Sequence, residues 1–599
     1  MKHNFSVRLV IGLSLLAALL SGQAGKFAPA LGAASGTASA DAETQTPALC
    51  FHVFLPLVFG GGGAAMALPA APANSLPCAG FPDFNGDGYA DLAIGVPRKE
   101  VFDGLVNVVD AGVVQVIYGS LQGLNAAAGA PKEDQIWHRE LGGVEAGADD
   151  LYGRSMAMGD FNQDGYADLA VGIPGARIDA KEGAGAVQVI YGSENGLAAA
   201  GIQEWTRGHA GLQGATVAFD NFGASMAAGD FDHDGYADLA VGVPQTTVNS
   251  EDDAGGVAIL YGGPTGLTSV GNEWLTQDTN GFTASSAEAD DEFGWALATG
   301  DFNGDDIADL AVGTPLEGNG ASFSDAGAVQ IFFGLDGTHG LDGGIIRLGS
   351  VVGPQHWTAA SPNVEGAMEA GEHFGHSLAA GNFNGDAYDD LAVGIPQEDH
   401  GTGPDTIVSG GAINVFDGGA SGLVSTPSNP ARLWHQEVAS MADEVAAYEQ
   451  FGFSLAAADF DNDGYTDLAI GVPENQFLGV AIGAAHLMYG TSGGLTADDD
   501  ELLYDSIHPD SFDLFGAHLT AGDFDGDGFA DLAVSAFADD PVGVAETGSG
   551  SLFAFYGSAA GPAQASIQYW YPSHNGLRGV PDTDDWFGVA LPGSPDIVN

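Results

Sequence analysis

Seven short segments of this chain concentrate carboxylates at one fixed spacing. They read DFNGDGYADLAIGVP at 83–97, DFNQDGYADLAVGIP at 160–174, DFDHDGYADLAVGVP at 230–244, DFNGDDIADLAVGTP at 301–315, NFNGDAYDDLAVGIP at 382–396, DFDNDGYTDLAIGVP at 459–473 and DFDGDGFADLAVSAF at 523–537. Each opens with a nine-residue stretch of the form D-x-D/N-x-D-G-x-x-D. Positions 1, 3, 5 and 9 offer side-chain oxygens, and position 7 offers a backbone carbonyl. Glycine at position 6 permits a sharp turn. Three or four carboxylates within nine residues repel one another unless a cation lies between them. A hard cation that takes six to eight oxygens, calcium, suits such a loop better than magnesium, which keeps its water and prefers fewer carboxylates. The pattern starts like an EF-hand loop, but position 9 replaces the distant glutamate and strands flank it.

The candidate ligands follow by position. In the first loop they are Asp83, Asn85, Asp87, Tyr89 and Asp91; in the second Asp160, Asn162, Asp164, Tyr166 and Asp168; in the third Asp230, Asp232, Asp234, Tyr236 and Asp238. The fourth has Asp301, Asn303, Asp305, Ile307 and Asp309, and the fifth Asn382, Asn384, Asp386, Tyr388 and Asp390. The sixth has Asp459, Asp461, Asp463, Tyr465 and Asp467, and the seventh Asp523, Asp525, Asp527, Phe529 and Asp531. The residues at position 7 act through their carbonyls only. The fourth loop carries Asp306 in place of the glycine, a residue that tolerates a left-handed backbone. The fifth carries Ala387 there and Asn382 at position 1, so it is expected to be strained and the weakest of up to seven Ca²⁺ sites.

The elements that hold these loops repeat with them. Eight residues before each loop from the second onward stands an aromatic–glycine pair: Tyr152-Gly153, Phe222-Gly223, Phe293-Gly294, Phe374-Gly375, Phe451-Gly452 and Phe515-Gly516. After each loop comes an apolar strand such as Asp91–Val96. A third, alternating strand follows, as in GVVQVIYG at 112–119, and then a fourth segment carrying Trp137, Trp205, Trp274, Trp357, Trp434, Tyr504 or Trp570. Period-two alternation and β-branched content mark strands. Four short strands in each of seven units make an all-β, seven-bladed β-propeller of four-stranded blades. The recurring tryptophans read as packing positions rather than a sugar-stacking ring, because a binding site rarely needs every blade.

The first unit lacks an aromatic–glycine pair before its loop; Ser75-Leu76 stands there. The missing element reappears at the far end, where Phe587-Gly588 follows Trp570 by 17 residues, as Phe451 follows Trp434. The ring is therefore expected to close with strands from both ends of the chain, 584–599 supplying the innermost strand of the first blade. An unpaired blade edge would otherwise be exposed.

These motifs resemble the FG-GAP repeats of integrin α-like β-propeller proteins, including secreted bacterial ones. The aromatic–glycine pair supplies the first element and Gly-Val-Pro at 95–97 or Gly-Ile-Pro at 172–174 the second. The resemblance covers about 81 to 591 and implies a propeller with calcium in the hairpin loops. Cell adhesion is weaker than the fold, since the β-sandwich domains and membrane span of an integrin α chain are not seen here.

Composition bounds the rest. Eighty acidic residues against 14 basic ones give a net charge of −66, which repels nucleic acid and anionic membranes. Residues 1–24 look like an export signal: Lys2, His3 and Arg8 precede an apolar run from Leu9 to Leu20. Residues 25–80 read as low-complexity linker and an apolar segment, and 81–599 as the propeller. Cys50 and Cys78 could form a bridge outside the repeats. No later segment looks transmembrane. No nucleophile motif, zinc pattern or phosphate loop is recognisable, so no catalytic residue is assigned. His138, His356 and His435 adjoin the blade tryptophans and read as surface or packing residues. The expectation is a secreted or cell-surface monomer that binds an extracellular protein or glycan, with structural calcium. The alternative is a polysaccharide-active or other hydrolytic propeller enzyme.

Overall fold

Leucine and β-branched residues bounded by a glycine-rich loop and a proline favour a short buried strand, and each D-L-A-V-G-V segment forms one. In the second repeat Asp168–Ile173 is buried at all six positions. Both of its faces must therefore be covered by protein. Leu169, Val171 and Ile173 pack against the preceding repeat, and Ala170 packs against the following one.

The computed structural model describes residues 81–592, apart from 103–106, 127–131, 209–210, 280–285, 321, 336–353, 402–405, 478–479, 542–543, 545–546 and 565–566. The expected export signal, the 25–80 segment and both cysteines lie outside the described residues. Among the described residues the regular structure is strands and one 3-10 turn, Arg139–Gly142. No described helix is long and apolar enough to cross a membrane.

Each repeat is an antiparallel meander. In blade 2 the order from the channel outward is Met156–Gly159, Asp168–Ile173, Ala186–Tyr191 and Ala198–Trp205. Blades 3 to 7 repeat this four-stranded order, ending with Leu519–Gly522, Asp531–Ala536, Ser551–Phe555 and Ile567–Trp570 in blade 7. Seven apolar clusters fill the seven wedges between neighbouring blades, among them one joining blades 2 and 3 and one joining blades 7 and 1. Trp137, Trp205 and Trp570 are buried within these clusters and Trp357 and Trp434 pack partly buried, whereas in blades 3 and 6 Leu275 and Leu503 hold that register position and Trp274 and Tyr504 stand beside it.

The wedges taper because glycine lets backbones touch. A Cβ on Gly172 would stand 2.2 Å from the Gly223 carbonyl of the next blade, and one on Gly242 2.3 Å from that of Gly294. A side chain also donates here: Ser155 Oγ to the Gly223 carbonyl at 2.6 Å and Ser225 Oγ to that of Gly294 at 2.6 Å.

Blade 1 has three strands of its own, Leu92–Val96, Val113–Ile117 and Gln135–Trp137. Its inner position is filled from the far end of the chain. Gly95 N–H donates to the Ala590 carbonyl at 2.9 Å, and Gly588 N–H to the Gly95 carbonyl at 3.0 Å. Blade 2 makes the same pair through Gly172, Ser155 and Gly153. The closing segment is a single bridge, Gly95 to Ala590, rather than a ladder. Phe587 and Leu591 are fully buried in the wedge between blades 7 and 1. Lys99 Nζ reaches Asp585 at 2.9 Å across the same seam.

Deleting 584–599 removes this strand and its ion pair. Burying a large apolar side chain contributes about 1.5–3 kcal/mol, so Phe587 and Leu591 together contribute several. The truncated chain is expected to melt at a clearly lower temperature and to be cleaved by protease first in blade 1. Melting coincident with the full chain would contradict closure by this strand.

Candidate metal centres

The nine-residue loops lead into the second strand of each blade, from the inner strand in blades 2 to 7, and lie side by side on one face of the ring. Their geometry is set by hydrogen bonds from backbone amides to carboxylates. The position-1 carboxylate takes the amides of positions 5 and 6: Asp160 Oδ1 accepts from Asp164 N at 3.0 Å and Oδ2 from Gly165 N at 2.9 Å. The position-5 carboxylate takes the amide of position 7 in all seven loops, at 2.9–3.2 Å.

The position-9 aspartate stands at the foot of the loop. Its Oδ2 accepts the N–H of the buried phenylalanine at position 2, as from Phe161 to Asp168 at 2.9 Å. Its Oδ1 accepts the N–H of the glycine that ends the third strand, as from Gly192 at 2.8 Å. Both bonds recur in every blade. Each carboxylate oxygen carries two lone pairs, so in the second, third, sixth and seventh loops each keeps one to offer, while in the first, fourth and fifth the position-3 asparagine Nδ2 takes a second bond to Asp91 Oδ2, Asp309 Oδ1 or Asp390 Oδ1. None of the seven aspartates is more than 1 % exposed. Burial raises their pKa values: Asp168, Asp238, Asp390 and Asp531 to about 8, Asp309 to about 9 and Asp467 to about 7. Asp91 is likewise raised well above the usual range, first by burial and then by Asp83 and Asp87.

Backbone bonds join one loop to the next. The position-8 amide of each blade donates to the position-1 carbonyl of the preceding blade: Ala167 to Asp83 at 3.0 Å, Ala237 to Asp160 at 3.1 Å, and across the seam Ala90 to Asp523 at 2.9 Å. All seven joints carry this bond.

The loops are not equal. Three of them bring three carboxylates within 4.8 Å: Asp230, Asp232 and Asp234 in the third, Asp459, Asp461 and Asp467 in the sixth, and Asp523, Asp525 and Asp531 in the seventh. These are the loops with aspartate at all four ligand positions. In the first and second, the buried Asn85 and Asn162 Oδ1 atoms find no hydrogen-bond partner. Position 6 is left-handed wherever it is glycine, with Gly88 at φ 89° and Gly235 at φ 92°, and Asp306 accepts it at φ 66°.

The fifth loop departs from the expected strain. Ala387 does not adopt a positive φ. The loop rearranges instead: Asn382 Nδ2 donates to the Asp386 carbonyl at 2.9 Å, and Asp386 N turns to Asn384 Oδ1 at 2.8 Å. An alanine at this position costs a ligand geometry rather than a strained backbone.

Sequence reasoning missed two features. Position 4 is also left-handed in every loop, whether it is Gly86, Gln163, His233, Gly304, Gly385, Asn462 or Gly526; the varied residue types hide the constraint. His233 is exposed there, as expected. The second feature is an acid two residues before each aromatic–glycine pair: Asp150, Asp220, Asp291, Glu372, Glu449, Asp513 and Asp585, all buried. Three meet cations, namely Arg139 at 3.1 Å, Arg207 at 3.0 Å and Lys99 at 2.9 Å. Their recurrence in the sequence was the available signal.

With this geometry in view, comparison with known proteins is direct. The FG-GAP repeat model matches at 79–117, 152–190, 222–260, 293–332, 374–412, 451–487 and 515–553. The chain is an FG-GAP repeat propeller. Among curated relatives, integrin alpha-PS2 of Drosophila melanogaster is 30% identical over 271 residues, 43% of this chain and 16% of that one. Integrin alpha-5 of Xenopus laevis is 32% identical over 263 residues, 43% and 21% respectively. The phosphatidylinositol-glycan-specific phospholipase D of Bos taurus is 33% identical over 181 residues, 30% and 20%. The chain thus spans about a fifth of the length of the curated relatives it matches. Among solved structures, a mutant of AofleA from Arthrobotrys oligospora aligns with a TM-score of 0.34 at 12% identity, covering 71% of this chain and 88% of that one. Likeness at that level does not discriminate between activities.

The buried position-9 aspartates fix how the metal-free protein responds to pH. Their folded pKa values lie above the unfolded value near 3.9, so the folded state holds more protons and stability is lost as pH rises. The contribution is complete below about pH 4 and gone above about pH 9, the range set by the unfolded value and the most raised carboxyl, Asp309. In excess chelator the melting temperature is expected to fall steadily from pH 5 to pH 9. A flat profile would show that these carboxyls are not buried without a counter-charge.

Proposed function

We propose that this chain is a secreted calcium-binding propeller that serves as a binding or adhesion module, with calcium structural in the hairpin loops. Support for calcium comes from the donor set. The loops offer only oxygens, in groups of three carboxylates or with a buried amide oxygen that has no hydrogen-bond partner, which suits a hard cation. The ligands are those named by loop position, from Asp83–Asp91 to Asp523–Asp531, with the fifth loop weakest. Bound there, calcium supplies positive charge to the buried carboxylates and no reaction chemistry.

The observation that carries a binding role lies on the opposite face, in the loops that lead into the aromatic–glycine pairs. Three residues before each pair the backbone is left-handed. Asp149, Asp290 and Asp584 take that position in three blades at φ 59–68°, and Gly371 in a fourth. In blades 3, 6 and 7 it is Phe219, Tyr448 and Phe512, at φ 64°, 69° and 71°. A left-handed backbone costs an ordinary residue roughly 1–2 kcal/mol. These three side chains are also 59–65% exposed. Bulky aromatic residues held in a strained conformation and turned to solvent point to contact with a ligand. An extracellular protein or a glycan is the ligand class, in keeping with the integrin alpha chains among the relatives. The enzyme alternative gains nothing from the central channel, a cavity of about 260 Å³ lined by residues such as Ala157, Met226, Leu297 and Leu519, with no titratable side chain.

Two outcomes are expected. Calcium should stabilise the ring by about 2.7 kcal/mol per site at a hundredfold excess over Kd, and the gap in melting temperature between loaded and chelated protein should widen from pH 5 to pH 8. Asp463→Asn in the sixth loop should reduce that gap more than Asp386→Asn in the fifth. Equal effects, or no gap at all, would remove the calcium reading.

Replacing Phe219, Tyr448 and Phe512 by aspartate, the residue other blades use there, should leave melting unchanged or raise it. On glycan and protein arrays the triple variant should lose binding tenfold or more, the scale of interface hot spots. Undiminished binding would move the ligand site elsewhere.

A further inference from the structure

Blade 5 carries a group that its sister blades lack. Its second strand, Asp390–Ile395, leads into a loop that places His400 at a position taken by Val101, Ile178, Val248 and Phe477 in blades 1, 2, 3 and 6. There Val101, Ile178 and Val248 are buried apolar contacts. His400 is also buried, 5% exposed, and burying an imidazole where a methyl-bearing side chain serves elsewhere calls for a reason. Beside it stands His435, the residue after the blade tryptophan. The two rings stack with centroids 4.6 Å apart and planes at 30°. The ligand atoms of His400, His435 and Glu437 all lie within 4.8 Å of one another.

The hydrogen bond of His400 decides what the cluster can do. Its Nε2 lies 2.8 Å from the Gly411 carbonyl. A carbonyl only accepts, so Nε2 carries the proton and Nδ1 keeps its lone pair. A ring nitrogen held by a backbone carbonyl while the other stays free is the arrangement that orients metal-ligating histidines. On His435, Nδ1 accepts a long 3.3 Å contact from Glu437 N, at the weak end of hydrogen bonding, which a metal ligand would displace. Glu437 is exposed and gives the group an opening to solvent.

We infer that His400, His435 and Glu437 form a site for a divalent transition metal of the zinc class, on the face opposite the acidic hairpins. Two imidazoles and one carboxylate are the donor types such ions prefer, and they differ from the all-oxygen loops. Blade 1 is an internal control. It has the same Trp-His-x-Glu run, with His138 and Glu140, but Val101 where blade 5 has His400. Among the described residues, the only histidine-containing group at ligand spacing is that of blade 5. The site is independent of the proposed calcium and ligand-binding roles, and its failure would leave them untouched.

The test uses the full chain in saturating calcium, so that the acidic loops are filled. Cobalt(II) is titrated and followed by visible absorption, with zinc as competitor, and bound metal is counted per chain. One cobalt ion per chain is expected, displaced by one zinc. His400→Val and His435→Thr install residues that other blades carry at these positions, so folding should survive. Each should weaken binding at least tenfold while melting and calcium content stay as in the parent chain. If His400→Val fails to fold, His435→Thr and Glu437→Gln carry the test. No cobalt uptake by the parent chain, or unchanged uptake by the folded variants, overturns the site.

Discussion

The structure hangs on seven buried carboxylates. Each position-9 aspartate gathers the start of its hairpin and the end of the third strand by taking one amide N–H on each oxygen. No neutral side chain of similar size offers two acceptor oxygens on one planar group. Ionised and buried, the group is costly, and relief comes from a proton or from a cation in the loop above. That choice reaches beyond one blade, because the same loop gives its position-1 carbonyl to the next blade's amide. Ordering a loop therefore tightens a joint, and seven joints make the ring. A metal bound in one hairpin acts on two blades at once, so stability is shared around the ring rather than summed over independent sites.

A second constraint works from the other side of each wedge. Strands buried on both faces need large residues toward one neighbour and small ones toward the other, which is why Leu, Val and Ile alternate with Ala and Gly in D-L-A-V-G-V. The glycine allows backbone to touch backbone, and most overpacking substitutions cost 1–3 kcal/mol. Blade 7 breaks the rule with Ser535, whose Cβ stands 3.5 Å from where a Cβ on Gly588 would lie. The seam thus lacks the second-strand glycine of the other six wedges, and it is where Lys99 and Asp585 add a salt bridge.

Much of this was legible in the sequence. Seven copies of one motif set the blade number, and the offset of Phe587-Gly588 from Trp570 marks the closing segment. The loops with four aspartates are the ones in which three carboxylates converge. What stayed hidden was conformational or remote. Position 4 of the loop admits Gly, Gln, His and Asn, so its left-handed backbone leaves no residue signature. Ala387 announced strain, yet the loop had another way to fold, because Asn382 can donate where aspartate cannot. His400 and His435 are separated by a strand and a turn, and only the meander of blade 5 sets them side by side. Tyr448 and Phe512 look like ordinary apolar residues until their backbone angle is seen.

These hidden features share a location. The hairpin face is nearly uniform, since every loop must make the same bonds to its neighbour and a departure there weakens a joint of the ring. The opposite face is under no such demand. Its loops need only return the chain to the next inner strand, and equivalent positions there differ freely: Asp or Gly against Phe and Tyr three residues before the aromatic–glycine pair, Val or Ile against His400 after the second strand. The cationic partner of the buried acid also varies, present as Arg139, Arg207 and Lys99 in some wedges, while in blade 5 Glu372 faces Glu398 instead and both are raised by burial, to about 9 and about 8. In a repeat protein the common part of the motif maintains the fold, so the residues that break it carry what is particular to the molecule. Here those breaks gather on one face, and that face is where the chemistry of this propeller is to be sought.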